Sequence, residues 1–323
     1  MHVRDLRAHR HRCTFEVSFG PEDDERSVIV KVYDKDRSDV FDVMESVVAA
    51  GFDSDALFAI ARPLACLDSA RILVQEKVLG TEAVEIFRGD EMERQIEAAR
   101  RCGTWLGHFH TKAPLQGALR GPDRVRFAIR FWAQGLCDAG GPFAGKAERL
   151  LRKLEAEAPT VLGEFEPRAS HGTYMPEHVM LSGARTVSID LDEYHIADPA
   201  QDLAWFIISL QRLGLEERKS LRVYDRVIEE FLRGYACSGP PIGLSHLPFF
   251  RATAFLFQAH RDLCKLQPPV PDWSEIMLDE GINSPRWEDA DRDDLQTPPL
   301  VPRGARQVRG RHPGRIDERT EVD

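Results

Sequence analysis

Carboxylates and imidazoles are concentrated in one short stretch of the chain, residues 170–204, which reads SHGTYMPEHVMLSGARTVSIDLDEYHIADPAQDLA. Asp190 and Asp192 stand two residues apart, and magnesium prefers hard oxygen ligands of this kind. The pair is therefore predicted to be a metal site. The alternative is that both aspartates are loop residues that satisfy backbone N–H groups.

A β-hairpin is predicted to bring further polar side chains to this pair. The short apolar runs 178–181 and 186–189 are joined by Ser182-Gly183-Ala184-Arg185, a pattern typical of two antiparallel strands and a turn. Such pairing places the residues before the first strand beside those after the second. The residues expected to face one another across one site are His171, Thr173, His178, Asp190 and Asp192.

The order of these motifs resembles that of the kinases that phosphorylate aminoglycosides, choline and related small alcohols. That family carries His-Gly-Asp, four residues, Asn, a hairpin, Ile-Asp-x-Asp or Glu, and then Asp-Pro-x-x-Asp-Leu-Ala. The matching segments here are His171-Gly172-Thr173, His178, Ile189-Asp190-Leu191-Asp192 and 198–204 (DPAQDLA). The resemblance covers roughly residues 13–266. It implies an α+β, bilobal protein-kinase-like fold, with a small antiparallel β-sheet lobe and a larger, mostly helical lobe.

The resemblance also implies roles for individual residues, and the candidate catalytic residues are Thr173, His171 and His178. Asp190 would be the principal magnesium ligand and Asp192 the auxiliary one, with ATP or GTP as phosphate donor. In the family a strand lysine contacts the α- and β-phosphates and pairs with a helix glutamate. Lys31 and Glu45 are the candidates here. The alternatives are an exposed strand lysine and a solvated helix position.

Two other parts of the resemblance concern support of the site. Gln75 to Val78 stands where the family has its interlobe hinge, so backbone groups of Glu76 and Val78 are expected to meet the adenine. His110, at the end of a predicted helix, is interpreted as a packing or capping residue. Asp202, at the start of another, is expected to brace the catalytic loop.

The motif departs from the family at two positions. Thr173 replaces the aspartate that accepts the proton of the attacking hydroxyl, and losing such a base typically costs about 10²–10⁴-fold in rate. His178 replaces Asn, and it is predicted to bind metal, to act as a substitute base, or simply to cap the hairpin. Two functions follow: an ATP- and magnesium-dependent phosphotransferase acting on a small-molecule hydroxyl, or a catalytically inactive pseudokinase that binds or regulates.

The start of the chain raises a further question. Only the basic segment MHVRDLRAHRHR precedes the first predicted strand, where the family has a strand and a turn covering the phosphates. Either this segment takes the phosphate-covering role, or the nucleotide loop is reduced.

Periodicity and composition divide the chain into three parts. Residues 1–80 form a β-rich lobe, with strands predicted at 13–19, 27–33, 61–67 and 71–78 and a helix at 39–50. Residues 81–270 form a helical lobe, with helices predicted at 91–110, 146–157, 201–213, 216–233 and 247–266. Residues 271–323 form a polar tail, which is expected to be largely disordered from about Asn283 onward.

Bulk properties limit the partners. The formal net charge of -10 argues against nucleic acid and anionic membranes. The N-terminus lacks the apolar core of a signal peptide, and six singly placed cysteines suggest a reducing compartment, so we expect a cytoplasmic protein. The expected partner is a small-molecule hydroxyl acceptor, recognised by variable segments such as 124–138 and 251–262. The sequence leaves the acceptor and the oligomeric state open.

Overall fold

The computed structural model describes residues 1–9, 11–21, 26–264 and 272–285. Its strands are β1 (His2–His9), β2 (Arg12–Phe19), β3 (Arg26–Tyr33), β4 (Phe58–Ile60), β5 (Pro63–Leu67), β6 (Ile72–Glu76), β7 (Thr81–Glu82), β8 (Arg168–Ser170), β9 (Val179–Ser182), β10 (Arg185–Ser188) and β11 (His195–Ala197). Its helices are α1 (Ser38–Ala49), α2 (Ala83–Arg88), α3 (Met92–Lys112), α4 (Pro122–Ala139), α5 (Gly141–Val161), α6 (Ala200–Arg218), α7 (Asp225–Ala236), α8 (Ile242–Ser245), α9 (Leu247–Leu263) and α10 (Asp272–Asn283).

Among these residues, an antiparallel five-stranded sheet forms the small lobe, in the order β1-β2-β3-β6-β5. Helix α1 packs against β5 and β4 through an apolar face of Val40, Val43, Met44 and Val47. The rest of the described chain is mainly helical. The α+β arrangement predicted from the sequence, with a β-sheet lobe followed by a helical lobe, is therefore confirmed.

The basic N-terminal segment forms a full strand. β1 pairs with β2 along its length, from His2 opposite Ser18 to His9 opposite Arg12. A strand therefore does precede β2, as is required if this segment covers the phosphates of a nucleotide. Side chains alternate between the two faces of β3, so Lys31 and Tyr33 share one face. That face is buried and points toward the helical lobe.

Two smaller sheets support the functional loops. β9 and β10 form the predicted hairpin, with Ser182 opposite Arg185 and Val179 opposite Ser188. β10 also pairs in parallel with β4, a strand that the sequence analysis did not predict. β8 pairs with β11, so the segment before Thr173 is joined directly to the segment after Asp192.

The helices α3 and α7 touch at the level of their backbones. A Cβ atom on Gly103 would lie 1.9 Å from the carbonyl oxygen of Phe231, and one on Gly234 would lie 2.2 Å from that of Arg100. Only glycine fits at these two positions. This contact places the end of α3, with His110, behind the functional loops.

Several predicted helix limits were wrong. α6 continues through Gly214 to Arg218, and the chain leaves it at Lys219, which has a left-handed backbone (φ 58°). α7 therefore begins at Asp225, later than predicted. The sequence analysis also did not predict the short helices α2 and α8 or the longer α4 and α10. Met277 and Leu278 of α10 are fully buried where this helix packs on α5 and α9.

Residues 286–323, which include almost all of the predicted disordered tail, lie outside the described residues. All six cysteines are free thiols. Within the described residues, no helix combines the length and apolar content needed to span a bilayer.

Candidate active site

Two unusual backbone conformations shape the functional loops. Gly172 has a φ of 86°, and a Cβ atom there would lie 2.2 Å from the carbonyl oxygen of Glu193. Asp190 has a φ of 66° although it is not glycine, and it starts the short 3₁₀ turn Leu191–Glu193. Non-glycine residues in this region are uncommon and cluster at functional sites. Because the carbonyl oxygen of Glu193 in the second loop lies so close to Gly172, only glycine fits at position 172.

Asp202 braces the first loop from beneath. Its buried carboxylate accepts hydrogen bonds from the backbone N–H groups of His171 (2.7 Å) and Gly172 (2.9 Å). It also accepts one from Ser170 Oγ (3.0 Å) and one from His110 Nε2 (3.1 Å). Burial raises the pKa of Asp202, but the hydrogen bond from His110 and the neighbouring imidazoles outweigh it and lower the pKa to about 2. Asp202 and His110 thus take the bracing and structural places expected of them.

His171 lies behind the site rather than in it. Its side chain is fully buried, and its Nε2 donates to the carbonyl oxygen of Ile189 (3.0 Å). Burial lowers the pKa of His171 to about 4, so the ring is neutral at physiological pH. His171, which the sequence analysis placed among the catalytic residues, joins the two loops and does not line the cleft.

Lys31 meets both aspartates of the second loop. Its Nζ donates to Asp190 Oδ1 (2.7 Å) and to Asp192 Oδ1 (2.5 Å), across the boundary between the lobes. The residue is only 3% exposed, so the alternative of an exposed strand lysine was wrong.

Glu45 does not take part in this cluster. It is exposed on α1, next to Met44 of the buried face, and within the described residues it forms no ion pair with Lys31. The predicted pair of Lys31 and Glu45 is therefore absent because Glu45 lies off the helix face that meets the sheet, and the two aspartates are the partners of Lys31.

The sequence analysis missed Arg12, the first residue of β2. Its Nη1 and Nη2 donate to Asp190 Oδ1 (2.6 Å) and Oδ2 (3.1 Å), and Nη1 also contacts Asp192 Oδ2. Tyr33 OH donates to the same oxygen of Asp192 (3.0 Å). Although burial raises the pKa of Asp190, the positive charges of Lys31 and Arg12 hold it well below its usual range. All four carboxylate oxygens of the aspartate pair therefore have donors from the chain itself.

The place of Arg12 in the site could have been inferred only from the register in which β2 pairs with β3. Arg12 stands opposite Tyr33 in the β2–β3 ladder, and Thr14 stands opposite Lys31. Side chains two residues apart on a strand share a face. Arg12 can therefore be placed beside Lys31 once this register is known.

Thr173 and His178 line the cleft beside the aspartate pair. His178 Nδ1 lies 2.8 Å from the carbonyl oxygen of Thr173, and since a carbonyl only accepts, Nδ1 carries the proton. Burial lowers the pKa of His178, so the ring is neutral and its Nε2 has a free lone pair. That nitrogen lies 3.6 Å from Asp190 Oδ2.

Of the predicted hinge residues, Glu76 ends β6 and Val78 lies between β6 and β7. The backbone N–H of Glu76 already donates to the carbonyl oxygen of Arg62 (2.8 Å). Val78 is half-buried in the irregular segment that follows, and in the described chain its backbone has no hydrogen-bond partner. Val78 is therefore the member of the pair whose backbone is free to meet a ligand.

The cleft between the lobes has a volume of about 560 Å³ and is rich in charge. Its basic lining residues are Arg7, Arg12, Lys35, Arg37 and Arg261, and its acidic ones are Asp34, Asp190, Asp192 and Glu193. With these five basic and four acidic lining residues, the cleft suits a polyanion such as a nucleoside triphosphate.

The donors of the cleft suit magnesium in kind but are few. Asp190 and Asp192 offer hard oxygens, and His178 offers a nitrogen at 3.6 Å from one of them. Within the described residues, no group of three or more His, Cys, Asp or Glu side chains is arranged to hold a metal. Magnesium is commonly held by one or two carboxylates together with substrate phosphates, so the pair fits the ion when phosphates complete its shell.

Comparison of folds places the chain among kinase-like proteins. It superposes on a choline/ethanolamine kinase family protein from Mesorhizobium loti with a TM-score of 0.65 at 14% identity, covering 90% of this chain and 91% of that one. For choline kinase LicA from Streptococcus pneumoniae the TM-score is 0.55 at 14% identity, covering 88% and 92%. For amicoumacin kinase hAmiN, solved with AMP-PNP, Ca²⁺ and Ami, it is 0.58 at 13%, covering 88% and 89%.

Family membership is shown by the sequence itself. The model of the phosphotransferase enzyme family (APH) matches residues 8–242, and the chain belongs to this family. No curated protein matches the chain significantly by sequence. The resemblance inferred from residues 171–204 is thus confirmed.

Proposed function

We propose that this chain is an ATP- and magnesium-dependent phosphotransferase that acts on a hydroxyl group of a small molecule. The observation that carries the proposal is the meeting of Lys31 with Asp190 and Asp192 across the interlobe cleft. Phosphoryl transfer needs such a cation and such a metal site at one place. Membership of the phosphotransferase family and the nucleotide analogue bound to amicoumacin kinase support a nucleotide donor.

In this proposal different residues of the cleft bind the metal, the phosphates and the adenine. Asp190 and Asp192 would hold magnesium, which supplies charge neutralisation at the phosphates when bound. Arg12 and Lys31 would donate hydrogen bonds to phosphate oxygens in place of those they now give to the aspartates. The free backbone of Val78 would meet the adenine edge.

The proton of the attacking hydroxyl needs an acceptor other than Thr173. A threonine hydroxyl is not a base near neutral pH, whereas the lone pair on His178 Nε2 is available in the cleft. We assign to His178 the role of accepting a hydrogen bond, and then the proton, from that hydroxyl. Because catalysis of this transfer rests mainly on positioning and electrostatics, slow turnover without an aspartate is permitted.

A second function is favoured by one observation. Arg12, Lys31 and Tyr33 together satisfy all four oxygens of the aspartate pair, so the pair is neutralised without any metal. With Thr173 in the place of the base, this arrangement also suits a pseudokinase that keeps the cleft for binding or regulation. Such a protein would show little response to magnesium.

Thermal unfolding and phosphate transfer together separate the two functions. ATP with magnesium at about 100 times its dissociation constant is expected to stabilise the protein by ~2.7 kcal/mol, because it binds only the native state. Lys31→Met is expected to lose this gain relative to its own unliganded baseline. The matched control Lys112→Met, an exposed lysine at the end of α3, is expected to keep it.

Transfer of the γ-phosphate to a panel of alcohols, sugars and aminoglycosides is then measured with the same variants. Absence of any stabilisation by ATP with magnesium rejects the phosphotransferase. Stabilisation by ATP that does not depend on magnesium, without transfer to any acceptor, leaves the pseudokinase.

A further inference from the structure

A second cavity, of about 400 Å³, lies in the helical lobe between α4, α6 and α9. Its walls are largely aromatic: Phe257 makes edge contacts with Trp132 (centroids 4.9 Å apart) and Trp205 (5.1 Å). At its rim, Phe127 and Phe131 are stacked with centroids 6.3 Å apart, yet they are 64% and 57% exposed. Exposed aromatic side chains at the mouth of an apolar cavity mark a ligand site.

The charged side chains that line this cavity are cationic. Among its described lining residues, two are arginines, Arg120 and Arg124, and none is acidic. Arg124 has no ion pair within the described chain, and the buried amide nitrogen of Gln201 has no hydrogen-bond partner there. Because an unpaired buried donor is costly, Gln201 favours a ligand that carries acceptor oxygens, and the exposed Arg124 adds a positive charge that no ion pair among the described residues offsets.

The cavity adjoins the interlobe cleft. Arg120, which lines the cavity, donates to Glu193 Oε2 (2.9 Å), and Glu193 lines the cleft. Arg261 lines the cleft, and its guanidinium carbon lies 5.9 Å from the ring centroid of Phe257 in the cavity wall. The two spaces are therefore separated by single side-chain contacts.

We propose that this cavity binds the apolar body of the acceptor, and that the acceptor is an aromatic or alicyclic hydroxy compound with a carboxylate or neutral oxygen group rather than a cation. This inference rests on the proposed function only in that the acceptor hydroxyl reaches the cleft. The aromatic walls bury the ring, Gln201 donates to an oxygen, and Arg124 pairs with a negative charge.

The alternative ligand is a quaternary ammonium compound bound on the faces of the aromatic rings. Such a cation–π interaction contributes about 0.5–2 kcal/mol to binding. Here such a cation would meet Arg124 with no lining carboxylate to offset the repulsion. The charge of Arg120 is balanced by Glu193, so Arg124 decides the sign of the local charge.

The test uses three probes that share one ring and one hydroxymethyl group: 4-(hydroxymethyl)benzoate, 1,4-benzenedimethanol and (4-hydroxymethyl)benzyltrimethylammonium. Their affinities are measured by calorimetry on the full chain without nucleotide. We expect the benzoate to bind about tenfold more tightly than the ammonium probe, with the diol between them.

Two variants locate the effect. Arg124→Ala is expected to reduce the tenfold preference to about threefold or less, whereas Arg130→Ala, an exposed arginine of the same helix that does not line the cavity, is expected to leave it unchanged. Phe131→Ala is expected to weaken all three probes alike. The inference is overturned if the ammonium probe binds as tightly as the benzoate, or if no probe binds.

Phosphate transfer from ATP to the same three probes is measured in a separate assay. Transfer to the ammonium probe alone would reject this inference and leave the phosphotransferase standing. Preferential binding of the benzoate, without transfer to any of these probes or to any acceptor of the panel, would reject the phosphotransferase and leave the cavity as a site for anionic ring compounds.

Discussion

Thr173 keeps the backbone role of its position while lacking the carboxylate that the family uses there. Its carbonyl oxygen still holds His178 in place, and the preceding Gly172 still allows the loop to pass within reach of Glu193. The conformation of the loop is therefore independent of the side chain at 173. A substitution at this position tests chemistry with little risk to the fold.

Thr173→Asp is expected to raise the turnover rate of phosphate transfer by up to about 10²–10⁴-fold, because it adds a carboxylate base beside the acceptor hydroxyl to the imidazole of His178. Initial rates at saturating ATP and magnesium measure the effect. Thr173→Asn is the matched control, since it has the same shape without a basic oxygen. An equal gain in the Asn variant would show that proton acceptance is not what the wild type lacks.

Arg12 donates hydrogen bonds to both of the aspartates that are proposed to bind magnesium. Arg12→Gln is expected to raise the affinity for magnesium or manganese, in the absence of nucleotide, by about tenfold, because a positive charge leaves the carboxylates. Calorimetric titration of the metal measures this change. Arg4→Gln, which removes an exposed arginine paired with Glu16 on the same sheet, is expected to have no effect. Unchanged metal affinity in Arg12→Gln would mean that Arg12 does not guard the site.

At the scale of elements, the packing of α3 against α7 determines where the functional loops are supported. The two helices touch without side chains between them at Gly103 and Gly234, and His110 near the end of α3 contacts Tyr235 OH of α7 (3.1 Å) and Asp202 of α6 (3.1 Å). This close contact was not visible in the periodicity, which marks apolar faces but not the distance between them.

Gly103→Ala is expected to destabilise the protein by about 1–3 kcal/mol, because a methyl group would overlap the carbonyl oxygen of Phe231 and force the helices apart. Gly145→Ala in α5 is the control: nothing lies within 4 Å of the position that its added methyl group would take, so a gain of about 0.5–1 kcal/mol is expected from helix propensity. Urea unfolding measures both. A neutral Gly103→Ala would contradict the close packing.

At the scale of the whole molecule, buried carboxylates link the lobes and loops and make stability depend on acid. Lys31 and Arg12 come from the small sheet, whereas Asp190 and Asp192 come from the helical lobe. Asp202 joins α6, α3 and the loop after β8. Each of these carboxylates must stay ionised to keep its partners.

The pKa of Asp202 is lowered from 3.8 to about 2 in the folded protein, so folding favours its ionised form. The resulting stability is fully present above about pH 4 and is lost as the pH falls toward 2. We expect the free energy of unfolding to fall over this window by about 2 kcal/mol from this residue. Urea unfolding at pH values between 5 and 2 measures it.

Asp202→Asn is expected to lower the stability at pH 7 by about 3 kcal/mol and to flatten the acid dependence. Asp55→Asn, an exposed aspartate before β4, is expected to change neither. An acid profile as steep in Asp202→Asn as in the wild type would place the titrating group elsewhere.

The sequence by itself determined the class of fold, the family and the core of the site. These features are local patterns: the alternation of the strands, the change to a helical period and the ordered motifs of residues 171–204. Local patterns can be recognised in a single sequence. For the same reason the β9–β10 hairpin, Asp190 with Asp192, Lys31 and the bracing role of Asp202 were predicted.

Only the tertiary structure decided which distant residues meet. Arg12 is 178 residues from Asp190, Glu45 is close in sequence to Lys31 but faces away, and His171 is buried behind the site. The cavity between α4, α6 and α9 arises from three helices whose spacing no periodicity encodes. Long-range contacts depend on how elements pack, so the local charge in each cavity emerged only from the fold.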